Sequence, residues 1–149
     1  MESYFEIVKP FARKHPDEDI KLPVKATEDA AACDFFSPED VVLPPHKVVL
    51  VWTDLKVILE KGTCFDINIR SSMGKQPVML ANTQGWIDRD YANNPNNDGN
   101  IGLMFFNLGD TDYVIKKGDR IAQGRTVSCM PIGHVSGNKR TGGFGSTGK

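Results

Sequence analysis

Residues 139–149 concentrate groups that could bind an anion. They read Lys-Arg-Thr-Gly-Gly-Phe-Gly-Ser-Thr-Gly-Lys. Glycines let the backbone turn its N–H groups onto a phosphate, while hydroxyls and cations add donors and charge. We do not expect a P-loop, because that motif needs a following Ser or Thr and a helix, which this sequence does not supply. Composition alone leaves a disordered tail as an alternative. Phe144 argues against it, since a lone aromatic ring gains nothing in solvent.

Two internal segments could also carry chemistry. Arg70-Ser71-Ser72-Met73-Gly74 follows an alternating apolar run, and the free N–H groups of a helical turn there could bind phosphate. Residues 85–91, Gly-Trp-Ile-Asp-Arg-Asp-Tyr, place two carboxylates beside apolar side chains, and one could act as a general base toward water. Taken singly, a capped turn and a solvated charged turn explain these segments as well.

Composition indicates one ordinary globular domain. The chain has 149 residues, a mass of 16.5 kDa, 40% hydrophobic residues and a net charge of −1. A duplex-coating protein usually carries a basic surplus, so we expect no nucleic-acid partner. No apolar run is long enough to span a membrane, and the N-terminus does not resemble a signal peptide. We therefore expect no membrane contact and a cytoplasmic location, or the host cytoplasm for a viral protein.

Cysteine and histidine are sparse and scattered. The three cysteines, Cys33, Cys64 and Cys129, form no CxxC pair, and we expect reduced thiols. The three histidines have no zinc spacing. The sequence thus predicts neither a disulfide framework nor a zinc site.

Short strands separated by turns must position these segments. Residues 63–70 alternate Phe65, Ile67 and Ile69 with polar residues, which is the period of a half-buried strand. Further strands are expected at residues 4–8, 20–25, 47–59, 78–81, 101–106, 113–116 and 121–129. Pro23 favours an edge position for the second of these. Many short strands with frequent Gly and Pro indicate an all-β sandwich or barrel.

Five motifs in a fixed order carry a resemblance to a known family. They are the small residues leading to Asp34, the Arg-Ser-Ser segment, Gly-Trp-Ile-Asp-Arg-Asp-Tyr, Gly-Asp-Arg-Ile-Ala-Gln at residues 118–123, and the Gly-Gly-Phe-Gly-Ser-Thr-Gly tail. In this order they resemble the trimeric dUTP diphosphatases (dUTPases), from about residue 26 to residue 148. The third, fourth and fifth motifs are the most specific.

The resemblance implies an all-β, jelly-roll-like single domain that forms a homotrimer with active sites at subunit interfaces. Residues 1–132 would form the β domain, and residues 133–149 a flexible arm that closes over the site. The implied reaction is dUTP + water → dUMP + pyrophosphate, with Mg²⁺ on the triphosphate. Which subunit's arm closes which site stays open.

The resemblance also assigns roles residue by residue. Asp88 matches the carboxylate that activates the attacking water, and Asp34 a carboxylate that reaches magnesium through water. Tyr91 matches the ring that packs on deoxyribose. The base-reading hairpin is matched by Asn82 and by backbone that includes Gly85 and Ile87 and continues to near Ile101. Phosphate-contacting positions are matched by Arg70, Ser71 or Ser72, and Gln123. In the tail, Phe144 matches the ring over uracil, and Gly145, Ser146 and Thr147 match donors to the γ-phosphate.

Three departures from the family pattern set further expectations. Ala92-Asn93 replaces the usual Arg-Gly after the tyrosine. The following segment is longer than usual, with the extra piece at residues 93–99. Either Lys139 or Arg140 can be the arm's γ-phosphate ligand, and Arg140 is favoured because guanidinium binds phosphate bidentately.

The loop at residues 93–100 has no large apolar side chain, so we expect it to lie in solvent. It would then be dispensable for catalysis and could offer a surface to an unknown protein partner. The alternative is that it folds back over the uracil pocket and belongs to base recognition.

Other functions remain as alternatives. A dCTP deaminase shares the fold and an Arg-Ser-Ser run, but lacks the Asp88 motif and the glycine-rich tail in this form. A non-catalytic nucleotide-binding module would need neither the base nor the tail, and a capsid-like jelly roll would not need the ordered motifs.

Overall fold

Twelve β-strands follow one another in the computed structural model, which describes residues 2–147. Met1 lies outside this description, as do Gly148 and Lys149 at the end of the predicted arm. In chain order the strands are β1 Tyr4–Ile7, β2 Val24–Lys25, β3 Cys33–Phe36, β4 Val41–Leu43, β5 Val48–Trp52, β6 Leu55–Ile58, β7 Thr63–Asn68, β8 Val78–Leu80, β9 Gly85–Ile87, β10 Gly102–Asn107, β11 Tyr113–Ile115 and β12 Arg120–Ser128. The predicted all-β class is confirmed.

Antiparallel pairing joins these strands into four sheets. The largest has the order β2-β3-β12-β7-β9, and a second has the order β5-β10-β8. The pairs β1-β6 and β4-β11 complete the fold. Strands that neighbour each other are often distant in sequence. The pairing of β3 and β7 with β12 thus places Asp34 and Asn68 on either side of Gln123.

One hydrophobic core receives residues from all four sheets, which supports a single domain. Phe35 of β3, Phe65 of β7 and Phe105 of β10 are almost completely buried. Phe5 of β1 packs edge-to-face on the first two rings, with centroid distances of 5.5 and 5.6 Å. Such pairs add to area burial, so β1 is fixed on the large sheet although Phe5 itself is only partly buried.

The predicted strands are largely confirmed, but three strands were missed. Residues 47–59 contain two strands, because the chain turns at Asp54, which has a φ of 58°. In the second predicted strand, residues 20–25, only residues 24–25 form strand hydrogen bonds. They lie at a sheet edge, as Pro23 indicated. Strands β3, β4 and β9 have three or four residues each, too few for a period of two to be recognised.

Helical structure within residues 2–147 is limited to the 3₁₀ turns Pro10–Ala12, Met73–Lys75 and Arg89–Tyr91. None of them approaches the length and apolar character of a membrane-crossing helix. The turn predicted after Arg70 forms. Ser72 occupies its N-cap position, but its side chain makes no capping hydrogen bond.

The prediction of three reduced cysteines is wrong for two of them. Cys64 of β7 and Cys129, which directly follows β12, form a disulfide, with Cα atoms 6.1 Å apart. Cys33 is free. The separation of 65 positions between the partners hid the pairing, because only the tertiary pairing of β7 with β12 brings them together.

Asp54 anchors the N-terminal segment to the turn between β5 and β6. This fully buried carboxylate accepts hydrogen bonds from Arg13 Nε at 2.9 Å, from the N–H groups of Lys14 and His15 at 2.8 Å each, and from Asn100 Nδ2 at 2.9 Å. Burial by itself raises the pKa of Asp54, but the hydrogen bonds outweigh it and hold the pKa below its ordinary value.

Candidate active site

A cavity of about 190 Å³ lies between β7, β9, β10 and the C-terminal segment, which reaches the cavity with residues 140–144 of the predicted arm. Several predicted site residues line it: Asn82, Gly85, Ile87, Asp88, Tyr91, Arg140 and Phe144. They come from two separate stretches of the chain, residues 82–91 and residues 140–144, which the fold brings together. The apolar part of the wall comes from Ile67, Trp86, Ile101 and Met104. Polar groups over apolar walls are typical of a small-molecule site.

Asp88 stands at the mouth of this cavity. It directly follows β9 and occupies the N-cap position of the 3₁₀ turn Arg89–Tyr91, where its C=O accepts from the Tyr91 N–H at 3.1 Å. Its carboxylate is not used for capping and is 61% exposed. An accessible carboxylate on a fixed backbone can accept a proton from water, as a general base must.

Tyr91 forms a buried wall of the cavity. Its hydroxyl donates to the C=O of Asn100 at 2.6 Å and accepts from Asn97 Nδ2 at 2.9 Å. Burial raises the pKa of the Tyr91 phenol, although the Asn97 amide and the Arg140 charge oppose this. The phenol is therefore a neutral, fixed wall, and its ring faces the cavity.

The loop at residues 93–100 is largely buried, so the prediction that it lies in solvent is wrong. Asn94, Asn97, Asp98 and Asn100 are 4%, 9%, 1% and 0% exposed. Asn94 Oδ1 accepts from the N–H groups of residues 96 and 97 at 3.0 Å each, and its Nδ2 donates to the Tyr91 C=O at 2.7 Å. A loop without apolar side chains can be buried when its polar atoms are satisfied in this way.

A buried ion pair locks the same loop to β6. Lys56 Nζ donates to Asp98 Oδ2 at 2.9 Å and to Asn93 Oδ1 at 2.7 Å. The backbone N–H of Lys9 also donates to Asp98 Oδ2 at 2.8 Å. Gly99 follows with a φ of 87°, and a Cβ there would lie 2.7 Å from the Ala92 Cα, so glycine is required. None of residues 93–100 lines the cavity, so the loop supports the cavity wall and does not cover it.

The C-terminal segment folds back onto the cavity of its own chain. Arg140 is bound by Asp88 through Nη2 and by Asp90 through Nε, the latter at 2.7 Å. Its guanidinium also lies 6.0 Å from the centroid of the Tyr91 ring. The Phe144 ring packs edge-to-face on Trp52, with centroids 5.8 Å apart. Phe144 therefore has an aromatic partner in the chain, although it stays 61% exposed.

Two glycines allow this segment to approach closely. A Cβ at Gly143 would lie 2.8 Å from the Tyr91 ring, and one at Gly142 would lie 2.8 Å from Asn96 Nδ2. Beyond them, the predicted phosphate donors are exposed and outside the cavity lining: Gly145, Ser146 and Thr147. Lys139 is exposed as well.

A second group of predicted residues lies on β3, β12 and the end of β7. Asp34, which is 6% exposed, accepts from Arg70 Nε at 3.1 Å and from Arg120 Nη1 at 3.2 Å. Gln123, opposite Asp34, donates to the Ile69 C=O at 3.3 Å. The predicted residues Ser71 and Ser72 follow Arg70 and are exposed. None of this group lines the Asp88 cavity, so one chain presents the predicted site as two separate parts.

Besides the apolar wall of the cavity, three residues with specific contacts at these two sites were not predicted. Arg120 belongs to a recognised motif, but its ion pair with Asp34 depends on strand pairing. Trp52 and Asn97 lie outside the motifs and take part only through tertiary contacts. Residues 2–147 contain no cluster of three or more His, Cys, Asp or Glu side chains that could hold a metal ion.

Comparison with known proteins decides the family. The dUTPase family model matches residues 18–148. The chain belongs to the dUTPase family. Curated members with similar sequences include the deoxyuridine 5'-triphosphate nucleotidohydrolase of Lactococcus lactis, which is 36% identical over 97% of this chain and 96% of its own length. The enzyme of that name from a Hydrogenobaculum strain is 37% identical over 88% of this chain and 92% of its own length.

Solved dUTPase structures share the fold. The dUTPase of Streptococcus mutans superimposes with a TM-score of 0.76 at 30% identity, over 88% of this chain and 99% of that one. A mutant dUTPase from phage phi11 of S. aureus has a TM-score of 0.68 at 21% identity, over 91% and 97% of the two chains. That protein coordinates a structural Mg(II) ion. At this lower identity the likeness to this dUTPase concerns the fold alone.

Proposed function

We propose that the chain is a dUTP diphosphatase that hydrolyses dUTP to dUMP and pyrophosphate. One observation carries the proposal: the exposed carboxylate of Asp88 lies at a nucleoside-sized cavity that also receives Arg140 and Phe144 of the C-terminal segment. The names of the curated relatives agree with this activity.

In the proposed reaction, Asp88 accepts a proton from a water molecule whose oxygen attacks the α-phosphorus. The bond from that phosphorus to the oxygen bridging to the β-phosphorus breaks, and pyrophosphate leaves. A positioned base of this kind contributes roughly 10²–10⁴ in rate. Asp88 suits this role because its backbone is fixed by β9 and the following turn while its side chain stays accessible.

The cavity would hold the nucleoside. Asn82 and the backbone at Gly85 and Ile87 supply fixed polar groups for the uracil edge, and cytosine would leave them mismatched. The Tyr91 ring would pack on the deoxyribose and leave no room for a 2′-hydroxyl. Phe144 would cover the base from the arm.

The triphosphate would lie against Arg70, Ser71, Ser72 and Gln123. These residues are apart from the Asp88 cavity within one chain, which supports a site completed by another copy. We therefore propose a homotrimer with active sites at its interfaces, in which residues 2–132 form the β domain described above.

The second group of residues can also accommodate a substrate-bound Mg²⁺, because Asp34 can contact it through water. Each carboxylate oxygen of Asp34 accepts one guanidinium hydrogen bond, and each keeps acceptor capacity that can contact a metal-bound water. Mg²⁺ takes few protein ligands and keeps several waters, so triphosphate oxygens would supply its direct ligands. When bound, the ion would neutralise charge on the triphosphate.

Residues 133–149 would act as the arm that closes over bound substrate. Arg140 is the arm cation at the Asp88 cavity, and its bidentate geometry suits the γ-phosphate. When dUTP binds, the Arg140 guanidinium would leave the carboxylates of Asp88 and Asp90 and bind the γ-phosphate instead. Gly145, Ser146 and Thr147 would then donate to the same phosphate. A protein partner at loop 93–100 stays a prediction, and only its exposed residues Asn93, Pro95 and Asn96 are open to one.

The test compares Asp88→Asn with Asp90→Asn. Each variant removes one carboxylate from the Arg140 pair, but only Asp88 is assigned as the base. Pyrophosphate release from dUTP with Mg²⁺ should fall roughly 10²–10⁴-fold in Asp88→Asn and far less in Asp90→Asn. Near-native turnover by Asp88→Asn would refute the assignment. Ammonia release from dCTP, assayed in parallel, would instead identify a deaminase.

A further inference from the structure

The hydroxyl of Tyr91 is held on two sides by the loop that follows it. It donates its one proton to the Asn100 C=O at 2.6 Å and accepts from Asn97 Nδ2 at 2.9 Å. The tyrosine is 8% exposed. Because a tyrosine side chain has only two rotatable bonds before the ring, anchoring its far end fixes the ring plane.

Asn97 is itself held rigidly enough to serve as that anchor. Its Oδ1 accepts from Asn94 Nδ2 at 2.7 Å and from the Gly99 N–H at 3.1 Å. These two bonds identify Oδ1 as the acceptor and leave Nδ2 directed at the Tyr91 hydroxyl. The buried Lys56–Asp98 pair ties the whole turn to β6. The anchor is therefore connected to the sheet framework and not to a mobile loop.

We propose that Asn97 is a positioning residue that fixes the Tyr91 ring and thereby sets the discrimination between dUTP and UTP. The inference rests on the proposed function, in which that ring packs on the sugar. A ribose adds a 2′-hydroxyl on the packed face. The Tyr91 ring excludes this extra oxygen only if the ring cannot shift away from the sugar. The rigidity of the ring therefore determines the selectivity for dUTP over UTP.

The test measures kcat/KM for dUTP and for UTP in the full-length protein. Asn97→Asp keeps the oxygen that accepts from Asn94 and Gly99 but removes the donor to Tyr91. Tyr91→Phe removes the hydroxyl, and with it both the bond from Asn97 and the bond to the Asn100 C=O. Asn97→Asp should lower the ratio of dUTP to UTP kcat/KM by roughly three- to tenfold, the effect of one lost hydrogen bond, mainly through better use of UTP. Tyr91→Phe should lower the ratio at least as much.

A double variant and a control make the result specific. If Asn97 acts through the Tyr91 hydroxyl, Asn97→Asp combined with Tyr91→Phe should lose no more selectivity than the worse single variant. Pro95→Ala is the matched control, because Pro95 is exposed in the same turn, and its ratio should equal that of the wild type. Thermal unfolding checks that each variant is folded. If Asn97→Asp does not fold, the selectivity of Tyr91→Phe alone decides the test.

Two outcomes overturn the proposal: an unchanged ratio in the folded single variants, or losses that simply add in the double variant. Calorimetric binding of dUMP and UMP separates this from a failure of the proposed function. If the wild type does not hydrolyse dUTP but prefers dUMP over UMP, the same variants must weaken that preference. If it binds neither, both proposals fail.

Discussion

Replacing Asp54 by Asn should strongly destabilise the fold, although Asp54 does not line the proposed site. Asp54 is fully buried and accepts four hydrogen bonds, two on each carboxylate oxygen. Its φ of 58° is as accessible to Asn as to Asp. The substitution therefore changes charge and hydrogen bonding while leaving the backbone conformation allowed.

The magnitude follows from the donors left behind. In the variant an NH₂ group replaces one carboxylate oxygen. The two N–H groups that donated to that oxygen then face another donor, and each unsatisfied buried group costs about 1–3 kcal/mol of folding stability. Arg13 would also lose part of the charge assistance in its bond to this residue. We expect a loss of about 3–5 kcal/mol in the free energy of unfolding at neutral pH, a large share of the roughly 5–15 kcal/mol of a typical domain.

Urea unfolding at one protein concentration, at neutral and acidic pH, tests this reasoning. The folded pKa of Asp54 lies below its ordinary value of 3.8, so its ionisation stabilises the fold above that pH. This contribution is lost as the pH falls through the folded pKa, and the gap between wild type and Asp54→Asn should shrink. Asp110→Asn, at an exposed pair with His46, should show no measurable change. A gap below 1 kcal/mol at pH 7, or one independent of acid, would refute the argument.

Three further predictions concern the arm and the loop. Deleting residues 142–149 should abolish most dUTP turnover while gel filtration and thermal unfolding stay unchanged, since a glycine-rich arm adds little to the core. Gly143→Ala should place a methyl group against the Tyr91 ring and reduce kcat/KM, whereas Gly133→Ala, which has open space around it, should not. Lys56→Met should cost about 3–5 kcal/mol in unfolding free energy, because it removes the buried cation that pairs with Asp98 and leaves the exposed Lys9 ammonium, 3.9 Å away; a loss under 1 kcal/mol would contradict this.

Much of the candidate site was predictable because its motifs are local in sequence. Asp88, Tyr91 and the hairpin residues lie within ten positions of one another, and the fold keeps them around one cavity. The arm residues Arg140 and Phe144 are distant in sequence, and the family resemblance, not the composition of the tail, assigned them to this cavity.

The features that sequence reasoning missed depend on tertiary pairing. The Cys64–Cys129 disulfide and the Asp34–Arg120 ion pair both arise from the neighbours of β12. The burial of loop 93–100 was missed for a different reason. A run of asparagines suggests solvent, and only the structure shows that their amides satisfy one another and Tyr91.

The contacts between loop 93–100 and the N-terminal segment have a consequence for how the chain folds. The Lys9 N–H and Asp98 are 89 positions apart, and Asn100 and the Ala12 C=O are 88 apart. Contacts that close such long loops form slowly. During synthesis, Lys9 and Ala12 cannot reach these partners until residues 98–100 have been made. Residues 9–12 should therefore be ordered after β1 has paired with β6, and amide exchange at Lys9 would report completion of the whole fold.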